Sequence, residues 1–129
     1  MAEKDVISTH RAPGPFQGAP YNQAIRVGDL VFVAGQLGIS LETGALAGAG
    51  IAEQTEQIIA NLGAILEAAG SGLDKLVKTT VFLMDLGDFV GMNEVYARHV
   101  GDRPPARSTV QISGLPSGAL VEIEAVAHV

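Results

Sequence analysis

Two ionisable side chains near the end of the chain have the types needed for acid–base chemistry on a small carboxylate. Arg107 follows two prolines in the segment PPARSTVQI, and Glu122 lies in the segment VEIEAVAHV. A planar guanidinium binds a carboxylate through two parallel, charge-assisted hydrogen bonds. A carboxyl group can take a proton from water and later give one to a leaving amine. The residue types alone leave other interpretations open: Arg107 could form an ion pair at a surface or interface, and Glu124 is as good a candidate as Glu122.

The overall composition limits the class of protein. The chain has 129 residues, of which 47% are hydrophobic, so it predicts a single domain, residues 1–129, with a substantial core. The formal net charge of −6 argues against a nucleic-acid-binding protein, which usually has a basic face, but leaves room for one positive pocket. The absence of cysteine excludes a disulfide and a thiolate nucleophile.

Neither a metal site nor a membrane segment is expected. The three histidines, His10, His99 and His128, are scattered and match no spacing of metal ligands. The start of the chain, MAEKDVIS, is charged, and no apolar run approaches the roughly 20 residues that cross a bilayer. We therefore expect a cytoplasmic protein.

Hydrophobic periodicity predicts the elements that must position these side chains. Alternating and β-branched segments indicate six strands, and 3.6-residue spacing indicates two helices. The strands are expected at residues 6–9, 24–27, 30–35, 75–84, 107–112 and 120–128, and the helices at 52–69 and 86–100. The order β-β-β-α-β-α-β-β predicts an α+β fold in which one mixed sheet has two helices packed on one face.

The alternation within the last two strands assigns their side chains to two faces. Ile123 faces one side of its strand, whereas Glu122 and Glu124 face the other. Arg107 and Val110 are separated in the same way in the preceding strand. Because apolar faces should lie under the helices, we expect Arg107 and Glu122 on the sheet face away from the helices.

Two of the predicted strands are apolar on both faces, which indicates that the second face of the sheet is also covered. These are LVFVAG, residues 30–35, and the strand at 75–84. Strands of this kind are normally covered on both sides, and two helices can cover only one. In a chain this short the second cover is expected to be another subunit. The sequence therefore predicts a homo-oligomer with small-ligand clefts between subunits.

Three segments together resemble the Rid family, also called YjgF, of reactive intermediate deaminases. They are APYNQAIRVGDLVFVAGQ, AAGSGLDKLVKTTVFLMDLGDFVGMNEVY and PPARSTVQISGLPSGALVEIEAVA, and the likeness extends from about residue 12 to the end. The resemblance implies a chorismate-mutase-like α+β fold and a homotrimer with active sites in the clefts between subunits. It also implies cofactor-free hydrolysis of 2-imino acids, such as 2-iminopropanoate and 2-iminobutanoate, to 2-oxo acids and ammonia.

The resemblance also implies a role for each matching residue. It makes Arg107 the carboxylate-binding group, and it favours Glu122 over Glu124 as the acid that positions or activates water. The substrate-binding positions that match are Tyr21, Gly35, Gln36, Asn93 and Thr109. Gly35 would let a ligand approach the backbone, and Thr109 replaces a cysteine of many members at a backbone contact. From its residue type alone, Tyr21 could equally be an ordinary half-buried tyrosine, and Asn93 could be an exposed polar residue on a helix.

Two departures from the family pattern bear on the substrate more than on the fold. Ala34 replaces the hydroxyl residue that many deaminases have just before Gly35, and the loop PGPFQGAP brings Phe16 near the pocket, where it could enter or cap it. Two alternatives to a deaminase remain open. One is a regulatory trimer that binds a small carboxylate, such as a 2-oxo acid, without turnover. The other is an endoribonuclease or translation inhibitor, against which the charge of −6 argues.

Overall fold

Six strands form one mixed sheet in the computed structural model, which describes residues 3–129. The strands are β1 (Lys4–Ile7), β2 (Ala24–Val27), β3 (Leu30–Leu37), β4 (Leu76–Leu83), β5 (Ala106–Gln111) and β6 (Val121–His128). The helices are α1 (Ile51–Ala68) and α2 (Phe89–Val100). The sheet order is β1-β2-β3-β6-β4-β5, and only the β4–β5 pair is parallel. The predicted α+β fold, with one mixed sheet and two helices, is confirmed.

The second helix begins later than its periodicity predicts. Residues 86–88 form a separate short turn, in which the side chain of Asp85 accepts a hydrogen bond of 2.7 Å from the N–H of Gly87. This local side-chain hydrogen bond competes with the helical pattern, as short polar residues commonly do. The helix therefore starts at Phe89 and not at residue 86.

The core lies between the two helices and one face of the sheet. Ile58 and Ile65 of α1 are fully buried, as are Val81 and Leu83 of β4. Each such side chain contributes roughly 1.5–3 kcal/mol to stability through its burial. The core therefore holds α1, α2 and the central strands as one unit.

A buried glutamine on α1 fixes the start of β6. The side chain of Gln54 accepts a hydrogen bond of 2.9 Å from the N–H of Leu120 and donates one of 3.0 Å to the carbonyl of Gly48. The helix approaches β3 closely here, because a Cβ at Gly38 would lie 2.6 Å from the carbonyl oxygen of Gln54. The position of β6, and with it that of Glu122, is thus tied to α1.

The structure places Arg107 and Glu122 on opposite faces of the sheet. Val121 and Ile123 are buried under the helices, so Glu122 faces away from them, as predicted. Arg107, however, pairs in parallel with Thr79, which is buried on the helix side. Parallel partners point to the same face, so Arg107 lies on the helix side, and the prediction for this residue is wrong.

The edge position of β5 explains why the alternation misplaced Arg107. The apolar residue Val110 points to the face without helices and is 42% exposed. Opposite it, the Arg107 guanidinium carbon lies 4.9 Å from the ring centroid of Tyr96 and 5.6 Å from that of Phe89, both in α2. Aromatic rings attract a cation, so this helix face covers a charged residue where an aliphatic one is expected.

The sheet face without helices is rich in exposed apolar side chains. Leu30 and Phe32 of β3 are exposed there, and so is Val110 of β5. Large apolar side chains exposed on one face of a small domain can mark an interaction site. That this surface contacts further copies of the chain stays a prediction at this point.

A buried hydrogen bond between sheet and helix holds the ring on which Arg107 packs. The hydroxyls of Thr79 and Tyr96 are 2.6 Å apart. We expect Thr79→Val and Tyr96→Phe each to lower the free energy of unfolding by about 1–3 kcal/mol, because each leaves the other hydroxyl buried without a partner. Urea denaturation at one fixed protein concentration measures this effect.

The double variant separates the hydrogen bond from general effects of substitution. Thr79→Val with Tyr96→Phe should cost less than the sum of the single variants. Thr80→Val makes the same chemical change on the opposite face of β4 and should change the free energy of unfolding little. Strict additivity of the two single variants would contradict the coupling.

Candidate active site

One cavity brings together four of the residues predicted for the site. It has a volume of about 80 Å³, which holds more than a single water molecule, and it lies between the N-terminal loop, β3 and β6. Its polar lining consists of Tyr21, Gln23, Gln36 and Glu122, with Gly35 between them, and its apolar lining consists of Pro13, Phe16, Leu37, Ile39 and Pro116. We call Tyr21, Gly35, Gln36 and Glu122 the Glu122 group.

A bulge in β3 makes room for the Glu122 carboxylate. The pairing of β3 with β6 shifts register between Val33 and Gln36, which leaves Ala34 and Gly35 outside the regular ladder. The side chain of Gln36 donates a hydrogen bond of 3.2 Å to the carbonyl of Ala34 and so closes the bulge. A Cβ at Gly35 would lie 2.8 Å from Cδ of Glu122 and 2.9 Å from its Oε2. Here Gly35 admits the protein's own carboxylate to the backbone.

The environment of Glu122 favours its protonated form. Burial raises the pKa of the Glu122 carboxyl above its usual range, and the negative charge of Glu124 raises that pKa further. The ion pairs among residues 3–129 join Arg11 to Glu67 and His99 to Glu56, so neither Glu122 nor Arg107 belongs to one. A carboxyl group with a raised pKa in a cleft is suited to exchange protons near neutral pH. The structure also separates the two acids, because Glu124 does not line this cavity.

The hydroxyl of Tyr21 is held so that its proton stays free. It accepts a hydrogen bond of 2.6 Å from the N–H of Phe16. Because the oxygen is the acceptor, the O–H group can still donate to a ligand. Phe16 itself lines the cavity.

Gln23 anchors the loop that bears Phe16, and the sequence analysis missed this residue. Its buried side chain donates to the carbonyls of Thr9, Ala12 and Pro13 and accepts from the N–H of Thr9, at 2.7–3.2 Å. A glutamine directly before the apolar start of β2 was the available signal, since a buried amide there needs backbone partners.

The other predicted residues form a second group on the opposite face of the sheet. We call Arg107, Asn93 and Thr109 the Arg107 group. Asn93 lies on α2 between Phe89 and Tyr96, whose rings contact Arg107, and Thr109 pairs with Val81 on the same side. The Oδ1 atom of Asn93 is buried and has no hydrogen-bond partner among residues 3–129. The sequence analysis did not identify these two aromatic residues as partners of Arg107.

The two groups do not meet within one chain. Glu122 pairs with Phe82, whereas Arg107 pairs with Thr79 and points to the other face. None of the Arg107 group lines the cavity beside Glu122. A ligand that bridges the two predicted catalytic residues would therefore need a second copy of the chain.

The described residues offer no alternative built from metal ligands or membrane helices. Across residues 3–129, no three His, Asp or Glu side chains are grouped in a way that could hold a metal ion. In the same part of the chain, neither helix is long and apolar enough to cross a membrane. The cytoplasmic location and the independence of cofactors stay predictions.

Fold and site together define a small α+β domain with a carboxylate-bearing pocket beside a bulged strand. A family model described as Endoribonuclease L-PSP matches residues 10–129. The chain belongs to the YjgF/Rid family, and the resemblance noted in its sequence is confirmed.

Close relatives cover almost the whole chain. It is 50% identical over 125 residues to a RutC family protein of Pyrococcus abyssi, across 97% of each chain. It is 43% identical over 122 residues to the human 2-iminobutanoate/2-iminopropanoate deaminase, which covers 95% of this chain and 88% of the human protein.

Solved structures show the same fold. RidA from an Antarctic Psychrobacter bacterium superposes with a TM-score of 0.91 at 42% identity, covering 97% of this chain and 99% of that one. E. coli TdcF with bound serine superposes with a TM-score of 0.89 at 38% identity, covering 97% and 98%.

The electrostatic influence of Glu124 on Glu122 can be measured directly. We expect Glu124→Gln to lower the pKa of the Glu122 carboxyl, because it removes a negative charge that favours protonation. Carboxyl-detected NMR titration follows this pKa in each variant. Glu42→Gln, which removes a charge from an exposed loop residue, serves as the matched control. An unchanged Glu122 pKa in Glu124→Gln would show that another charge dominates the site in solution.

Proposed function

We propose that the protein hydrolyses 2-imino acids to 2-oxo acids and ammonia as a homotrimer with a chorismate-mutase-like arrangement. The observation that carries the proposal is the Glu122 carboxyl, which lines a small cavity together with Tyr21. Burial and Glu124 raise the pKa of this carboxyl, and it has no ion-pair partner among residues 3–129. The human relative named a 2-iminobutanoate/2-iminopropanoate deaminase supports the substrate class.

The separation of the two groups supports a site between subunits. A head-to-tail interface joins two different surfaces and closes into a ring if its rotation permits. Such an interface can bring the Glu122 group of one subunit against the Arg107 group of the next. The exposed apolar face with Phe32 and Val110 supplies surface for this packing. Each cleft of the trimer would then contain both groups.

The proposed chemistry uses groups whose hydrogen-bonding capacity is still available. The Arg107 guanidinium binds the substrate carboxylate, and backbone groups near Thr109 orient the imine. Glu122 takes a proton from water while the water oxygen bonds to the imine carbon. Glu122 passes this proton to the nitrogen, which gives a carbinolamine with one hydroxyl and one amino group. It then moves the hydroxyl proton to the nitrogen, the C–N bond breaks, and ammonia leaves as the carbonyl forms. Tyr21 donates a hydrogen bond to the oxygen of the attacking water.

Two other functions are alternatives to imine hydrolysis. TdcF, described with bound serine, is a structural relative that binds an amino acid, so a non-catalytic carboxylate-binding trimer remains the second candidate. The family model carries the description of an endoribonuclease, but the formal charge of −6 disfavours contact with RNA. Both alternatives predict no acceleration of imine hydrolysis.

Release of 2-oxo acid from imines made in situ tests the proposal. An amino-acid oxidase generates the imines, and the wild type should accelerate their hydrolysis above the spontaneous rate. Glu122→Gln should lower kcat by about 10²–10⁴-fold, since it removes the proton acceptor. Arg107→Lys should chiefly raise KM, since an ammonium cannot bind a carboxylate through two parallel bonds. Glu42→Gln is the control and should match the wild type.

Each alternative has its own outcome in this assay. A wild type that binds 2-oxo acids but adds nothing to the spontaneous rate would favour the regulatory trimer. Metal-independent cleavage of RNA by the same preparation, lost in Arg107→Lys, would favour the endoribonuclease. Full activity of Glu122→Gln would show that another group handles the proton.

Mixed oligomers test whether the site lies between subunits. Chains with Arg107→Ala and chains with Glu122→Gln should each be inactive alone. If half of the chains supply Glu122 and half supply Arg107, random assembly completes about one quarter of the clefts. Co-expression of the two variants should therefore restore about one quarter of the wild-type activity. No recovery in verified mixed oligomers would place the site within one chain.

A further inference from the structure

Apolar residues form a wall of the cavity, and Phe16 is one of them. The structure assigns Phe16 as a specificity-determining residue that restricts the substrate to a short apolar side chain. This inference rests on the proposed function, because it concerns the substrate of the same cavity. Phe16 lies in the PGPFQGAP loop, which the proposed chemistry does not use.

Two left-handed turns present apolar residues to the cavity. In one, Gln17 and Gly18 have φ of 53° and 67°, and the N–H of Ala19 donates to the carbonyl of Phe16 at 3.1 Å. In the other, Ser117 and Gly118 have φ of 60° and 72°, and the N–H of Ala119 donates to the carbonyl of Pro116 at 3.1 Å. The residue that opens each turn, Phe16 or Pro116, lines the cavity.

The backbone at both turns is unusual for the residues that form it. Gln17 and Ser117 are the only residues other than glycine with positive φ among residues 3–129. Side chains rarely adopt this region, and such conformations persist only where the surroundings hold them. The same conformation occurs twice beside one cavity, which indicates that the shape of its apolar lining matters.

Hydrogen bonds fix the wall in place. The hydroxyl of Tyr21 accepts the N–H of Phe16 at 2.6 Å, and the buried side chain of Gln23 donates to the carbonyl of Pro13 at 2.9 Å. Phe16 is therefore a fixed part of the cavity and not a loose flap. A fixed backbone at Phe16 keeps the ring at the cavity, so a longer ligand has less room than it would beside a smaller side chain.

The cavity lining contains both polar and apolar groups, which orients the substrate. Glu122 and the hydroxyl of Tyr21 are polar, whereas Phe16, Pro116 and Ile39 are apolar. With the imine carbon at Glu122 and the carboxylate at Arg107, the substrate side chain is left to face the apolar wall. A polar side chain there would lose its hydration without a hydrogen-bond partner. The cavity of about 80 Å³ leaves room for only a short one.

Removing the Phe16 ring should enlarge the cavity and change the order of kcat/KM among substrates. The test compares kcat/KM for imines made in situ from 2-aminobutanoate, leucine and phenylalanine, with the wild type and Phe16→Ala. We expect the ratio of phenylalanine-derived to 2-aminobutanoate-derived imine to rise at least about ten-fold in Phe16→Ala. Phe16→Leu should give a smaller rise in the same direction. Leu41→Ala, an exposed apolar residue outside the cavity, is the control and should leave the ratio unchanged.

The outcomes distinguish this inference from the proposed function. If the wild type is active but Phe16→Ala lowers all substrates equally, Phe16 is only structural and the inference is overturned. If the wild type turns over no imine, the proposed function fails, and calorimetric Kd values for 2-oxobutanoate and phenylpyruvate replace the kinetics. The same shift of about ten-fold in the Kd ratio is then expected, and an unchanged ratio overturns the inference. Phe16→Leu keeps the test valid if Phe16→Ala does not fold.

Discussion

The approach of the Glu122 carboxylate to the backbone of Gly35 is the contact on which the candidate site depends. It requires a bulge in β3, a residue without a side chain inside that bulge, and the correct face of β6 toward it. The last condition is set far from the site, because burial of Val121 and Ile123 under the helices turns Glu122 the other way. A shift of β6 by one residue would exchange its two faces and remove the acid from the cavity. Burial in the core thus fixes the register of β6, and this register places Glu122 in the cavity.

The site keeps groups that stability alone would not select. A half-buried carboxyl with a raised pKa and no partner destabilises the folded chain when it is charged, and the left-handed turns at Gln17 and Ser117 are strained. The surrounding structure offsets these terms with buried, fully bonded side chains such as Gln23 and Gln54. Strained and unpaired groups inside the site, surrounded by well-bonded residues, are typical of a functional site.

Local sequence patterns predicted most of the fold, but the geometry of the site depends on pairing between distant strands. Alternation and helical spacing located all six strands and both helices, because burial of one face imposes those periods. They placed Glu122 correctly and Arg107 incorrectly, since β5 is an edge strand whose apolar Val110 faces away from the helices. The contact between Glu122 and Gly35 depends on the pairing of β3 with β6, which are far apart in sequence, so no local pattern could show it. The family resemblance named the residues of both groups without showing that one chain keeps them apart.

The geometry of the Arg107 group explains how an arginine on the helix side of the sheet can still bind a ligand. The guanidinium carbon of Arg107 lies over the rings of Tyr96 and Phe89, and this cation–π contact uses none of its N–H donors. The ring of Tyr96 is itself held by Thr79, so the cation rests on a fixed support. Asn93 adds an acceptor without a partner beside it. Buried polar groups are normally satisfied within a fold. Donors and acceptors left unused on one face, and an unpaired acid on the other, are the complementary groups that the proposed site between subunits would join.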